Sequence, residues 1–528
     1  MAETVDKNQV DAPFSWAALQ RDAFPIAVVG LLTAVVSFSS AGEAYDQHWT
    51  SAWATISAIA VILAATRSIR LTHPLMWGIG LVILLVQAWR GGHERWESLA
   101  MWIWLWTWIW TLPSENKFFW RGIKALPLFA AVIGGVMFLH ALKSIWAGDW
   151  SHGASYDMTL PWAHRNIAME ALFAMCVLGG YISKARWIRW WVFITLLALI
   201  YQVRGVMLGS TLWMLYALWK SDYAGPWLKR GFIGISVLFI AGQVAWNTVP
   251  YDVKFERFRK MPDVVKSLDI AYNFNGAESS SIRLKLWNLT AGHVTAFGEG
   301  LAKWRDDAEG FVNVTTGRCA EATRRAHSEL LQWAYELGWL PLLLLIGLCW
   351  PLRHSMSRWL WFALPFLAFT FPTERAEILW PLAILGWWFK SQYPPAEEKA
   401  APNPHLLTGI QALGCVLILS WVIAQNAIGE TLRRSGQLKA DWSPTQELCL
   451  KLHPKDIALN HVDVVRAMSE YNQGRPESGQ SLIAGHLERN PLSIPAIRVK
   501  LKSEGKPHNE EAVCAYIRAR MKQGTPQP

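Results

Sequence analysis

A succession of apolar runs constrains the fold of this chain more than any other feature of its sequence. A helix needs about 20 predominantly apolar residues to cross a bilayer, because every backbone group must be satisfied within the span. The candidate spans are centred on 24–42, 50–66, 73–89, 97–112, 124–146, 166–183, 188–202, 205–219, 231–247, 328–349, 357–371, 376–390 and 405–428. With about 12–13 such segments, the sequence predicts an all-α polytopic membrane protein.

Composition and tryptophan placement support this class. The chain is 52% hydrophobic and only 17% charged, which is too apolar for an ordinary soluble domain of 528 residues. Indole rings favour the headgroup layer of a bilayer. We therefore expect the tryptophans near the ends of apolar runs to lie at the membrane interface, namely Trp96, Trp102, Trp104, Trp187, Trp190, Trp191, Trp359 and Trp361.

Basic residues are concentrated in alternate short loops, which predicts the orientation. The residues concerned are Arg67, Arg70, Lys117, Arg121, Lys124, Lys184, Arg186, Arg189, Lys220, Lys229, Arg230, Arg353 and Arg358. The positive-inside rule makes these loops cytoplasmic, so the amino terminus is expected inside and the long 248–326 loop outside. The net charge of +10 is then explained by topology rather than by nucleic-acid binding.

The same pattern divides the chain into four regions. They are an N-terminal transmembrane bundle (1–247), a large outer loop (248–326), a C-terminal transmembrane bundle (327–428) and a soluble tail (429–528). A loop this long is usually a functional lid or binding loop. Apolar positions at helical spacing predict a helical, repeat-like tail. In the tail, Cys449 and Cys514 can form a disulfide in an oxidising compartment or remain free thiols.

The candidate site is the segment that runs from Arg324 and Arg325 through His327 to Gly338. Ionisable groups at a membrane boundary are costly and usually mark a functional site. His327, Leu331, Ala334 and Gly338 follow the spacing of one helical face. A polar stripe on the same predicted helix consists of Glu329, Gln332 and Glu336. Carboxylates buried in a span need partners, which we expect to be arginines of adjacent helices.

Further arginines are expected at the same outer face. Arg204 precedes the eighth span, Arg283 lies in the outer loop, and Arg165 lies at the start of the sixth span. Guanidinium groups bind phosphate oxygens in a bidentate way. Together with His327, this set predicts a site for a polyanion such as a diphosphate.

The motifs resemble those of the O-antigen ligase and polymerase superfamily. The matching elements are His327-Ser328 with Gly338 after nine residues, Ser281-Ile282-Arg283 to Trp287 followed by Gly298-Glu299-Gly300-Leu301, Arg204-Gly205, and His164-Arg165-Asn166. They occur in the family's order over roughly residues 160–350. Two departures are Trp339-Leu340-Pro341, where the family often has a second small residue, and the absence of Ser before Arg204.

The resemblance implies metal-independent, inverting glycosyl transfer from undecaprenyl diphosphate at the periplasmic face of a bacterial inner membrane, without a cofactor. His327 is then expected to orient or deprotonate the acceptor hydroxyl. Arg204 and Arg283 are expected to stabilise charge on the diphosphate, and Arg165, Arg324 and Arg325 are second-rank candidates for that role. The supporting residues are expected to be Glu329, Gln332, Glu336 and Glu377.

The acceptor is predicted less directly. Reactions of this kind include transfer to a pilin-like protein, ligation of O-antigen to lipid A–core, and polymerisation of repeat units. The periplasmic tail favours a protein acceptor, and Glu377-Ile378-Leu379-Trp380-Pro381-Leu382 loosely resembles an element of protein O-oligosaccharyltransferases. A transporter for the same lipid-linked glycan is the alternative from another class. Transporters usually carry internal repeats and broken helices, and the sequence predicts neither.

Overall fold

The computed structural model describes most of the chain. It describes residues 16–38, 49–113, 117–146, 162, 165–183, 187–201, 203–219, 278–308, 326–370, 372–393, 404–433, 442–455, 461–489 and 491–522, with a few residues between 230 and 242. The predicted span at 231–247 therefore lies largely outside the described residues, as do His164, Arg324, Arg325 and the first part of the large loop.

Helices dominate these regions. Up to the large loop they are α1 (Trp16–Phe38), α2 (Trp49–Ala65), α3 (Pro74–Trp89), α4 (Arg95–Trp110), α5 (Lys117–Gly122), α6 (Ala125–Trp146), α7 (Arg165–Ile182), α8 (Trp187–Ile200) and α9 (Arg204–Trp219). From the loop onward they are α10 (Glu278–Gly292), α11 (Glu329–Leu337), α12 (Trp339–Leu348), α13 (Arg353–Phe369), α14 (Ala376–Gln392) and α15 (Pro404–Arg433). Strands β1 (Ile69–Leu71) and β2 (Thr111–Pro113) form a small antiparallel sheet.

Four helices of the described residues are long and apolar enough to cross a membrane. They are Gln20–Phe38, Phe119–Lys143, Arg165–Ile182 and His405–Thr431, and the bent pair α11–α12 makes a fifth if it is one span. Shorter apolar helices are Ser51–Ala65, Pro74–Trp89 and Trp187–Ile200. The described residues therefore confirm the prediction of an all-α membrane protein, while the count of 12–13 spans stays a prediction.

The bundle has the inside and outside expected of a lipid-exposed protein. Helix α4 is buried almost all round, and it forms the centre of the core. Large apolar side chains such as Leu75 and Val82 on α3, and Leu343 and Ile346 on α12, are exposed. Exposed apolar side chains that recur along the outer faces of a bundle are favourable against lipid tails.

The expected interfacial position is wrong for half of the tryptophans named above. Trp102, Trp104, Trp187 and Trp359 are buried between helices. Trp104 packs edge-on against Trp53 with ring centroids 6.2 Å apart. The indole N–H of Trp359 donates to the Leu382 carbonyl at 3.0 Å. A backbone carbonyl can satisfy the indole N–H as well as a headgroup can, and the large ring then fills the core.

Helices from both sides of the large loop share one core. Phe173 of α7 contacts Phe366 of α13, with centroids 5.3 Å apart. The indole of Trp108 on α4 donates to the Ala383 carbonyl of α14 at 2.8 Å. The two predicted transmembrane regions therefore pack together as one bundle.

The tail consists of short helices in which each packs against the next. They are α16 (Pro444–Leu452), α17 (Val462–Asn472), α18 (Pro476–Arg489), α19 (Ile494–Ser503) and α20 (Glu510–Lys522). Helix α16 begins with a capping box between Ser443 and Gln446 and has Pro444 in its first turn. The Cys449–Cys514 disulfide does not form, because Cys449 is a free thiol. Cys449 is instead buried in the contact between α15 and the first tail helices.

Candidate functional site

The predicted span 328–349 is broken in its middle. Helix α11 ends at Leu337, α12 begins at Trp339, and the two axes are bent by 109°. Gly338 sits between them with φ +82°, in the left-handed region that side chains disfavour. A Cβ at this position would lie 2.1 Å from the backbone nitrogen of Gly298, so only glycine fits.

The single helical face expected for His327, Leu331, Ala334 and Gly338 is therefore wrong. His327 precedes the first residue of α11, and Gly338 follows its last residue. Spacing alone could not show this, because an apolar run of this length reads equally well as a straight or a broken span. Because Gly338 has no side chain, the backbone of the loop residues Phe297 and Gly298 can lie directly against it.

The segment 295–301 of the large loop crosses the break. It contains the sequence Gly298-Glu299-Gly300-Leu301, whose turn places Gly298 at φ +67° and Gly300 at φ +103°. The hydrogen bonds run from Glu299 N to Tyr335 O (3.0 Å), Gly300 N to Glu336 O (2.8 Å), Leu340 N to Ala296 O (3.0 Å) and Gln87 Nε2 to Leu337 O (3.1 Å). Backbone groups freed by the break are thus paired, as burial requires.

The polar stripe of α11 faces the interior. Glu329, Gln332 and Glu336 are buried. The Gln332 amide donates to Glu336 Oε1 at 3.1 Å and to Glu374 Oε1 at 3.3 Å. The backbone N–H of Glu374 donates to Glu329 Oε1 at 3.3 Å. The stripe thereby joins α11 to the turn that precedes α14.

Arg305 is the cation at the centre of these carboxylates. It lies in the short helix 303–308 of the large loop and is 2% exposed. Its guanidinium contacts Glu94 at 3.0 Å, Glu97 at 2.7 Å and Glu374 at 3.3 Å. Burial opposes its charge, but the nearby carboxylates outweigh burial and raise the pKa of Arg305 above its ordinary value. We call Arg305, Glu94, Glu97, Glu336 and Glu374 the Arg305 cluster.

A cavity of about 30 Å³ adjoins this cluster. Arg305, Gln332, Glu336 and Glu374 line it together with apolar side chains of α4. This volume holds about one water molecule, which is too little for a sugar or a diphosphate. The contacts of Arg305 hold the loop, α4 and the turn before α14 together, and the cavity itself has no room for a ligand of that size.

His327 and the helix of Arg283 come together at the edge of the cluster. The indole of Trp287 on α10 donates to the Ala326 carbonyl at 2.8 Å, one residue before His327. Arg283 lies one turn before Trp287 and, like His327, is half-buried. His327 has φ +56°, a conformation that costs free energy for a residue with a Cβ and is often found at functional sites.

Arg165 and Arg204 meet at the neighbouring turn. Arg165 is the first residue of α7, and its Nη1 donates to the carbonyl of Tyr201 at 3.2 Å. Tyr201 lies in the turn between α8 and α9, and Arg204 is the first, exposed residue of α9. Both guanidinium groups therefore belong to the same end of the bundle.

Contacts at the end of α13 connect the pair His327 and Arg283 to the pair Arg165 and Arg204. Thr370 donates to Glu170 of α7 at 3.3 Å, and the adjacent Phe369 packs against Trp287 with centroids 5.8 Å apart. The structure thus brings Arg165, Arg204, Arg283 and His327 to one end of the bundle; we call these residues the cationic rim. Arg324 and Arg325 lie outside the described residues.

Glu377 belongs to a second buried ion group near the rim. It lies in the first turn of α14 and is 3.7 Å from the guanidinium of Arg375. Both side chains are buried, and Glu170 interacts with Arg375 electrostatically. Paired buried charges of this kind fix the start of α14 relative to α7.

The residues that complete the interior were not predicted from the sequence. Arg305, Glu94, Glu97 and Glu374 were not among the candidates. A usable signal was the spacing of Glu94 and Glu97 at the start of an apolar run. Carboxylates there require a cation, and the structure supplies one from the loop rather than from an adjacent helix.

The tail also reaches this end of the bundle. Lys455 Nζ donates to Asp306 Oδ1 at 2.8 Å, and the ring of His93 is 2.9 Å from Asp306 Oδ2. Burial opposes the charge of Asp306, but Lys455 and His93 outweigh it and hold its pKa well below the usual range. His453 lies 3.6 Å from Glu97 of the Arg305 cluster. The tail is therefore attached beside the candidate site.

Comparisons of the chain with protein-family models, with curated proteins and with solved structures found no match. Two features of the molecule bear on its function: the loop segment that crosses the broken helix, and the cationic rim beside it.

Proposed function

We propose that this chain is a membrane glycosyltransferase that moves a glycan from undecaprenyl diphosphate to an acceptor hydroxyl. The main support is the meeting of the Gly298–Leu301 segment with the Gly338 break, which sets His327 beside the helix of Arg283. The same sequence elements are those that resemble the O-antigen ligase and polymerase superfamily. Arg204 and Arg165 complete the rim on the neighbouring helices.

The proposed reaction is a single displacement. The acceptor oxygen attacks the anomeric carbon, the bond from that carbon to the diphosphate oxygen breaks, and the lipid diphosphate leaves with the electron pair. His327 accepts the proton of the acceptor hydroxyl, a role suited to imidazole near neutral pH. Arg204 and Arg283 stabilise the charge that develops on the diphosphate, and Arg165 assists them. Attack opposite the leaving group inverts the anomeric configuration.

The proposed membrane arrangement follows the charge distribution of the loops. The rim and the tail face the periplasm from a bacterial inner membrane, with about 12–13 spans in all. In this arrangement the buried ion groups lie beneath the rim and keep its supporting helices in place. No metal or organic cofactor takes part in the proposed transfer.

A protein is the proposed acceptor class, with a pilin-like Ser or Thr hydroxyl as the reacting group. The tail supports this choice, because stacked short helices build extended binding surfaces and this stack is attached to Asp306 beside the Arg305 cluster. Lipid A–core ligation and glycan polymerisation use the same rim chemistry and differ only in the acceptor.

An in vitro transfer assay tests the proposal. The purified full-length chain is mixed with a lipid-diphosphate glycan and with a pilin-like protein or lipid A–core, and products are separated by mass. We expect glycan on the protein, and a loss of this product with His327→Ala. The matched control is His354→Ala, an exposed histidine at the opposite end of α13.

Each outcome of this assay decides a part of the proposal. Transfer to lipid A–core alone replaces the protein acceptor by a ligase reaction, and longer glycans without added acceptor indicate a polymerase. Equal activity of His327→Ala and wild type removes His327 from the mechanism. Absence of transfer to every acceptor contradicts glycosyl transfer itself.

Transport of the same lipid-linked glycan is a second candidate, and one observation favours it. The absence of broken helices predicted from the sequence is wrong, because α11 and α12 are bent by 109° at Gly338. Broken helices with buried charges are common at the substrate sites of transporters. Movement of a fluorescent lipid-diphosphate glycan between the leaflets of proteoliposomes, without any transfer product, would support this candidate over the first.

A further inference from the structure

The tail contains a histidine–carboxylate cluster that the proposed transfer reaction does not use. His461 lies directly before α17, Asp463 lies in the first turn of α17, and His486 lies near the end of α18. One donor atom from each residue lies within 4.8 Å of the other two. His461 and His486 are buried, and Asp463 is half-buried.

The spacing of the donor atoms fits a small metal ion. Ligand atoms about 2.0–2.1 Å from a tetrahedral Zn²⁺ are about 3.3 Å apart from each other. Nδ1 of His461 is 3.4 Å from Oδ2 of Asp463, and Nδ1 of His486 is 3.9 Å from the same oxygen. All three donor atoms lie within 4.8 Å of one another, so the side chains have to approach by up to about 1.5 Å to reach metal-binding distance.

His486 provides an independent indication of a ligand. Its side chain is 1% exposed, and its Nδ1 has no hydrogen-bond partner among the described residues. A buried polar atom without a partner costs about 1–3 kcal/mol, and a bound ion or a water molecule relieves that cost. This nitrogen is directed towards Asp463, where a metal would be shared.

Other contacts around the cluster are compatible with coordination. Arg489 donates to Asp463 Oδ2 at 2.8 Å, which leaves further lone pairs on the carboxylate. The backbone N–H of Asp463 donates to Nδ1 of His461 at 3.1 Å, so this ring has to release that contact or coordinate through Nε2. Lys455 and His93 also face His461 and oppose a cation, which favours a site of moderate rather than extreme affinity.

We propose that His461, Asp463 and His486 bind one Zn²⁺ that joins helices α17 and α18 of the tail. Two imidazole nitrogens and one carboxylate oxygen, with water as the fourth ligand, are a typical ligand set for zinc. The ion holds together the part of the tail that contacts Asp306 through Lys455. It therefore stabilises the attachment of the tail without taking part in the transfer chemistry.

Metal content of the purified full-length chain tests the site. The chain carries a purification tag without histidine, is incubated with zinc sulfate and is passed over a desalting column before elemental analysis. We expect about one zinc per chain for wild type, and a loss of ~10-fold or more in His486→Ala and Asp463→Asn. His508→Ala is the matched control, since His508 is an exposed histidine of the same tail.

A second measurement keeps the test decisive when a variant folds poorly. Cobalt(II) added to the metal-free wild-type chain should give visible absorption bands of a four-coordinate ion, and zinc should remove them. Zinc should also raise the melting temperature of wild type and His508→Ala but not of Asp463→Asn. A zinc content near zero in wild type, unchanged content in His486→Ala, or no cobalt bands would each overturn the proposal.

Discussion

The Arg305 cluster and the cationic rim place the same residue type in two contrasting environments. Arg305 is 2% exposed and is in contact with three carboxylates, whereas Arg204 at the first residue of α9 is exposed. A charge taken out of water requires partners, and its removal leaves those partners without compensation. A charge at the surface can bind a mobile anion. The difference in environment favours a structural role for the interior cluster, and it leaves the rim able to take the substrate-binding role that we propose for it.

Both regions depend on the same loop. The short helix 303–308 carries Arg305 into the interior, and the preceding segment 295–301 crosses the break beside Gly338. The loop is thus part of the core at one side and part of the rim at the other. Mutations that separate stability from activity are the most direct way to test this division.

Removal of the central cation should have the largest effect on stability. Arg305→Met keeps the length of the side chain but leaves Glu94, Glu97 and Glu374 without their cation. We expect a loss of about 3–5 kcal/mol in the free energy of unfolding, which is the usual cost of breaking a buried ion pair. Thermal unfolding in detergent measures it as a lower melting temperature.

Lys303→Met is the control for that change. Lys303 lies on the same short helix and pairs with Asp307 at 2.8 Å, but its side chain is 37% exposed. Exposed pairs contribute about 0–1 kcal/mol, so this variant should unfold close to wild type. Equal losses in the two variants would contradict the structural role of the Arg305 cluster.

Loss of a rim cation should change activity and leave stability unaltered. Arg204→Ala should lower the transfer rate about 10²–10³-fold, the usual effect of removing one group that stabilises transition-state charge. Its free energy of unfolding should stay within about 0.5 kcal/mol of wild type, as for other surface changes. A parallel assay of rate and melting temperature checks both values. A variant that loses both together would assign Arg204 to the fold.

The rim could be predicted from the sequence because its signals are local. Arg204, Arg283 and His327 stand out as ionisable residues next to apolar runs, and the all-α class follows from those runs alone. Their position at one end of the bundle requires only that neighbouring spans alternate in direction. Whether these residues act on a diphosphate stays a prediction.

The interior could not be predicted, because its contacts are distant in sequence. Arg305 is separated from Glu97 by 208 residues and from Glu94 by 211. The break at Gly338 depends on a contact with Gly298, which no apolar pattern encodes. The burial of Trp102 and Trp104 on α4 was not predicted either, because a ring near the end of an apolar run can face either lipid or a neighbouring helix.

The break itself should be sensitive to one methyl group. Gly338→Ala places a Cβ against the backbone of Gly298 and Phe297 at a residue with φ +82°. The strain should cost about 2–3 kcal/mol and move His327 with the start of α11. Gly338→Ala should therefore lower both the free energy of unfolding and the transfer rate, whereas Arg204→Ala should lower only the transfer rate. Gly347→Ala in α12 is the control, because its new methyl group meets nothing within 4 Å.

The smallest predicted effect concerns pH and the contact between tail and bundle. Burial lowers the pKa of His453 to about 4 against the raising influence of Glu94. Its ring is fully buried, 3.6 Å from Glu97 Oε2 and 2.9 Å from Ser420 Oγ. In the unfolded tail, His453 binds a proton below about pH 6.5. In the folded tail, it binds a proton only below about pH 4. The stability of this contact is therefore complete above that range and falls as the pH drops through it.

Hydrogen exchange of residues 442–455, corrected for the intrinsic rate at each pH, measures this loss. Between pH 7 and pH 5 we expect the local opening free energy to fall by about 1–2 kcal/mol. Exchange in α4, where Arg305 binds Glu97, should change less because a guanidinium does not titrate in this range. His453→Gln should remove most of the pH dependence, since an amide can bond Ser420 without titrating. An unchanged slope in that variant would assign the acid sensitivity to His461, whose pKa is also lowered by burial.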